Sequence, residues 1–129
     1  MELRTHKSIN TALCGKVVDL KKDYAKVVLK TTQIMAADEK GLVHGGFTFG
    51  AADYAAMAAV NEPNVVLVAA DVGFKAPIQV GDEVVFEARV IKEEGKKVFL
   101  TVIGNVGEQR VFNGVFTAFV PDTHVLFLL

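Results

Sequence analysis

Between His44 and Glu62 the only charged side chain is Asp53, set among Ala51, Ala52, Tyr54, Ala55 and Ala56. Taking an unpaired carboxylate out of water is costly. Such a group shifts its pKa, finds a partner or does a job. Asp53 therefore either faces solvent at a gap, makes a structural hydrogen bond, or marks a site. Nine positions earlier stands His44-Gly45-Gly46. Two glycines at the start of a helix let backbone approach a ligand closely. The free N–H groups of a helix N-terminus polarise a carbonyl or hold an anion. His44 either positions a substrate or caps the turn.

The elements that must carry these residues follow from the punctuation of the chain. Gly15 to Leu20 and Ala25 to Lys30 read as two strands joined at Lys21-Lys22-Asp23, a hairpin. A polar loop, Asp38-Glu39-Lys40-Gly41, follows. Phe47 to Val60 is rich in alanine and free of proline, which predicts a helix. That helix is apolar nearly all round, so it is expected to be buried on most faces. Asn61-Glu62-Pro63-Asn64 ends it. Val65 to Phe74, Glu83 to Lys92, Val98 to Val106 and Arg110 to Val120 read as four further strands, taken as a meander. Val84, Phe86, Ala88 and Val90 alternate onto one face. An antiparallel sheet wrapped around one central helix explains why that helix is apolar on so many sides.

Composition limits the function classes. The 129 residues fit a single domain, 1–129, with a core of its own. Acidic residues exceed basic ones by one, giving a net charge of -1. There is thus no electrostatic case for nucleic acid or an anionic membrane. No run of about 18 apolar residues spans a bilayer. The polar start, Met1 to Lys7, lacks a signal-peptide core, so a cytoplasmic location is expected. An apolar share of 51% is high for a soluble domain and points to burial in a subunit interface, hence a homodimer or a tetramer. Cys14 is the only cysteine, and His6, His44 and His124 show no metal-ligand spacing, so no metal is expected. Ser8 is the only serine and sits in no nucleophile elbow. Lys75, Arg89, Lys92, Lys96, Lys97 and Arg110 could meet phosphates, although scattered cations are ordinarily solvated.

Gly41-Leu42-Val43-His44-Gly45-Gly46, followed by Ala52-Asp53, resembles the GxxHGG…AD motif of the hot-dog-fold thioesterases, most closely the phenylacetate-pathway type. Val72 to Asp82 resembles that family's FxxPxxxGD strand-and-turn segment. Together the two blocks place the resemblance over roughly Gly15 to Val120. It implies an α+β hot-dog fold and a dimer whose two sheets join edge to edge. It implies a site at the subunit interface that takes acyl-coenzyme A, with no cofactor beyond that thioester. By the same resemblance Asp53 of one subunit is the general base or nucleophile. A backbone N–H of Gly45 or Gly46 of the other polarises the thioester carbonyl. His44 belongs to the same motif. Phe47, Phe49 and Met57 are candidates to line an acyl tunnel, with Tyr54 beside them, and Lys75 to meet coenzyme A. Apolar residues at helical spacing are, however, ordinarily core.

The chain departs from the catalytic pattern where active members carry polar groups that orient water or substrate. Asp38 stands six positions before His44 in place of Asn or Gln. Met57 stands four after Asp53 in place of Thr or Ser. Val66-Leu67-Val68 offers no serine on the following strand. Non-catalytic binding or sensing of acyl-coenzyme A is therefore the alternative function. The superfamily includes a regulator of lipid synthesis and a virulence-associated protein of that non-catalytic kind, and the His124-Val125-Leu126 ending resembles the latter. A hot-dog dehydratase, with His44 and Asp53 as its pair, is a third possibility that the HGG register disfavours.

Overall fold

A computed structural model describes residues 1–129. A one-turn helix α1 (Thr11–Cys14) precedes strands β1 (Lys16–Lys21) and β2 (Tyr24–Lys30). The long helix α2 (Gly45–Val60) follows. Strands β3 (Val66–Phe74), β4 (Glu83–Glu94), β5 (Lys97–Val106) and β6 (Gln109–Phe119) complete the sheet. Short 3-10 turns lie at Gln33–Met35 and Val125–Leu128. All six strands form one antiparallel sheet in the order β1-β2-β4-β5-β6-β3. The sheet curls around α2, which touches every strand. This is the hot-dog fold.

The buried face alternates as expected: Val84, Phe86 and Ala88 on β4 point inward, as do Val98, Leu100 and Val102 on β5. They pack against Ala51, Ala52, Ala55, Ala56, Ala58 and Ala59 of α2. Small side chains let the sheet approach the helix closely, so alanine serves helix propensity and packing together. Gly104 on β5 serves the same end. A Cβ there would lie 2.8 Å from the Phe86 ring.

Two parts of the sequence reading need correction. β3 is not the first strand of a meander with β4. It pairs with β6 at the far edge, while β4 inserts beside β2. Only β4, β5 and β6 form a meander. Helix α2 also begins at Gly45, two residues before the expected Phe47. The neighbouring backbone explains the early start. His44 N–H donates to the Met35 carbonyl at 2.9 Å and Val43 N–H to the Ile78 carbonyl at 2.8 Å, which aims the chain into the helix. No helix is long and apolar enough to cross a membrane.

Candidate functional site

Asp53 sits in the middle of α2 and is half-buried. Its Oδ1 is buried and has no hydrogen-bond partner in the chain. A structural hydrogen bond to that atom is therefore not what holds the residue in an apolar helix. Burial pushes its pKa from 3.8 up to about 6. Asp53 lines a cavity of about 640 Å³ together with Thr5, His6, Val66, Leu67 and His124. The cavity lies where α2 meets the first residues of edge strand β3.

The start of α2 lies elsewhere. Gly45 and Gly46 occupy the first turn, whose N–H groups have no acceptor within the helix. His44 takes the N-cap position, but its side chain makes no capping bond. It is exposed, edge-on to the Phe47 ring at 6.3 Å. A Cβ on Gly46 would meet that imidazole at 3.0 Å, so glycine here leaves room for the His44 ring. Gly45 borders a second cavity of about 320 Å³, with Thr48, Phe74, Lys75, Pro77 and Ile78.

The second motif block braces this turn. Leu42 bridges to Gln79, and Val80 N–H donates to the Gly41 carbonyl at 2.8 Å. Asp82 closes its own turn by accepting from Gln79 N–H at 2.9 Å, while the Thr31 hydroxyl donates to the Asp82 carbonyl at 2.6 Å. Asp38 accepts from Lys40 N–H at 2.9 Å and Leu42 N–H at 3.2 Å. It shapes the loop that leads into His44.

Of the proposed acyl-contacting residues, Phe49 stacks on Phe116 at 5.6 Å and Phe47 packs partly buried against the core. Met57 is wholly buried in the core and lines neither cavity. Lys75 lies at the Gly45 cavity, away from Asp53. Sequence spacing did not point to Thr5, His6 or His124, which come from the two ends of the chain and line the same cavity as Asp53.

Asp53 and Gly45 lie eight residues apart on one helix, about 12 Å along its axis. One thioester group is too small to touch both within a single chain. Asp53 lines one cavity and Gly45, at the helix start, borders the other.

The profile of the thioesterase superfamily matches residues 40–112, the stretch holding both motif blocks. The chain belongs to the thioesterase superfamily. An uncharacterized protein of known structure from Pyrococcus horikoshii is 51% identical with a TM-score of 0.96, covering 98% of this chain and 97% of that one. A sigma28-regulated virulence protein from Campylobacter jejuni is 36% identical with a TM-score of 0.94, covering 97% of this chain and 89% of that one. A methylthioribose-1-phosphate isomerase from Aquifex aeolicus is 54% identical over 95% of this chain, which spans only 27% of that longer protein. The fold alone is shared with a Streptococcus mutans protein bound to acetyl CoA, at 19% identity and a TM-score of 0.80 over 92% of this chain and 97% of that one.

Proposed function

We propose that the protein is a homodimer that binds acyl-coenzyme A thioesters and hydrolyses them at sites shared between its two copies. The observation that carries the reading is Asp53: a carboxylate with a buried, partnerless oxygen, facing an open cavity on an otherwise apolar helix. Superfamily membership and a coenzyme A thioester bound to a protein of the same fold support the choice of ligand.

The free edge of the sheet supports the shared site. β3 begins with Val66 and Leu67 at the Asp53 cavity and ends with Phe74 at the Gly45 cavity. Two β3 edges paired antiparallel about a two-fold axis bring the Asp53 end of one copy against the Gly45 end of the other. The exposed apolar side chains Val68 and Phe74 suit such a pairing.

In this arrangement Asp53 takes a proton from water as the water oxygen bonds to the thioester carbon. The Gly45 or Gly46 N–H of the other copy stabilises the oxygen that becomes negative. The carbon–sulfur bond then breaks, and the proton passes from Asp53 to the coenzyme A sulfur. The products are a carboxylic acid and a thiol, and no metal or further cofactor takes part.

A screen of short, long and aryl acyl-coenzyme A thioesters with free-thiol detection, beside a binding assay, tests the proposal. Thiol release above background that disappears in Asp53→Asn is expected. A second reading, binding without turnover, is favoured by Met57 and Leu67 at positions where active members carry hydroxyl groups. Tight binding without thiol release in the same screen would establish it.

A further inference from the structure

The cavity in front of Asp53 holds a histidine that the mechanism above leaves unused. His6 comes from the N-terminal segment, which is fastened to the C-terminal end of α2. Asn61, in the left-handed conformation with φ 54°, accepts from Arg4 N–H at 2.7 Å and donates to the Glu2 carbonyl at 2.9 Å. Thr5 is thereby buried, and its hydroxyl meets His6 Nδ1 at 2.8 Å. His6 itself has φ 54°, a conformation that side-chain-bearing residues seldom adopt. Its ring stacks on Tyr54, the residue next to Asp53. Backbone, ring plane and Nδ1 are thus all constrained, while Nε2 has no hydrogen-bond partner within the chain.

The titratable groups facing this cavity are Asp53 from α2, His6 from the N-terminal segment and His124 from the C-terminal segment. No lysine or arginine lines it. Cys14 of α1 lies near enough for the Asp53 charge to help push its pKa up, after burial. His124 is exposed, and its Nδ1 accepts from Leu126 N–H at 3.1 Å. His6 is the more enclosed imidazole. Burial pushes its pKa below the usual histidine value, which favours a neutral ring with both a donor and an acceptor nitrogen.

We infer that His6 is a further catalytic residue, whose Nε2 holds the attacking water against Asp53 in the same cavity. This rests on the reading of the site as a thioester hydrolase. The proton balance is unchanged: the water proton goes to Asp53 and then to the departing sulfur. His6 contributes one hydrogen bond to the water and no net proton.

The test compares wild type, His6→Asn, Thr5→Val and Asp53→Asn in hydrolysis of acetyl-, palmitoyl- and aryl-acetyl-coenzyme A, with melting curves for each. Asparagine tolerates the left-handed backbone but is too short to replace the imidazole. His6→Asn should lower kcat about 10- to 100-fold with KM nearly unchanged, since a misplaced reactant costs on that order. Added imidazole should restore part of the rate, which a purely structural role would not allow. Thr5→Val, which frees Nδ1, should give a smaller loss and carries the test if His6→Asn does not fold. Full activity in His6→Asn, or in Thr5→Val should His6→Asn not fold, beside an inactive Asp53→Asn, overturns the role of His6 and leaves the hydrolase reading intact. A loss without imidazole rescue, with Thr5→Val at wild-type rate, also overturns it. Absence of hydrolysis in wild type overturns the hydrolase reading and this role with it.

Discussion

Asp53 combines a cost to stability with the proposed use in chemistry. Its pKa is raised to about 6 by burial, so the folded chain holds the proton more tightly than the unfolded chain does. The favourable contribution is complete below about pH 4 and is lost as pH rises through about 6. Above that the folded protein carries a poorly solvated charge, with a ceiling of about 3 kcal/mol that water in the cavity reduces. Asp53→Asn should therefore melt higher than wild type at pH 8, with the gap closing toward pH 4. Melting curves at the two pH values check this, and a lower-melting variant at pH 8 would show that the carboxylate has a structural partner. The catalytic role has its own pH signature. A general base works only when ionised, so kcat/KM should rise with pH through about 6 and then level. A flat profile from pH 5 to 7 would remove Asp53 from that role. At this scale the sequence was informative where contrast is local: one acid among alanines is visible without a fold. His6 and His124 stand 47 and 71 positions away, and only the folding of both chain ends brings them to the cavity that Asp53 lines.

Elements follow the same logic of local against distant information. Helix α2 and the β4–β5 and β5–β6 hairpins were legible because alanine content, alternation and turn residues are properties of short stretches. The place of β3 was not, because whether it pairs with β4 or β6 depends on which neighbour completes the layer over α2. Helix α1 has four residues, too few for a periodic signal. Glycines show how element context decides an outcome. At Gly46 the nearest obstacle to a Cβ is the end of the exposed His44 side chain, which can swing away. Gly46→Val should thus keep the melting temperature within a few degrees of wild type while weakening acyl-coenzyme A binding, measured by calorimetry. Unchanged affinity would show that this turn does not meet the ligand. At Gly104 the obstacles are the Phe86 ring at 2.8 Å and Phe112 Cβ at 3.2 Å, both fixed in the core. Gly104→Ala should cost about 1–3 kcal/mol in denaturant unfolding, as overpacking typically does. A neutral result would mean the sheet yields there more easily than a packed core should.

For the whole molecule, the separation of Asp53 from the start of α2 decides what assembly must do. The cavities sit at opposite ends of β3, so on the proposed reading a lone chain presents half-sites and a two-fold dimer two complete ones. Light scattering should accordingly give at least twice the 13.9 kDa chain mass, and Val68→Lys, which places like charges near the paired edge, should lower it. Mass alone does not show that a site is shared. Mixing two impaired variants, at a substrate concentration where neither turns over alone, does. Asp53→Asn lacks the base and Gly46→Val obstructs the helix start, so each homodimer has two damaged sites. In a dimer built from one of each, both damaged parts fall in the same site if the base and the helix start come from different chains. The other site is then wild type in every residue. Random exchange makes about half of the dimers mixed, each with one working site of two, so about a quarter of wild-type activity should return after co-refolding. If each site is instead built within one chain, a mixed dimer contains one site of each damaged kind, and mixing restores nothing. A mixture that stays inactive, while native mass spectrometry shows that mixed dimers have formed, would thus confine the chemistry to single chains and leave the 12 Å between Asp53 and Gly45 to be bridged by some other group.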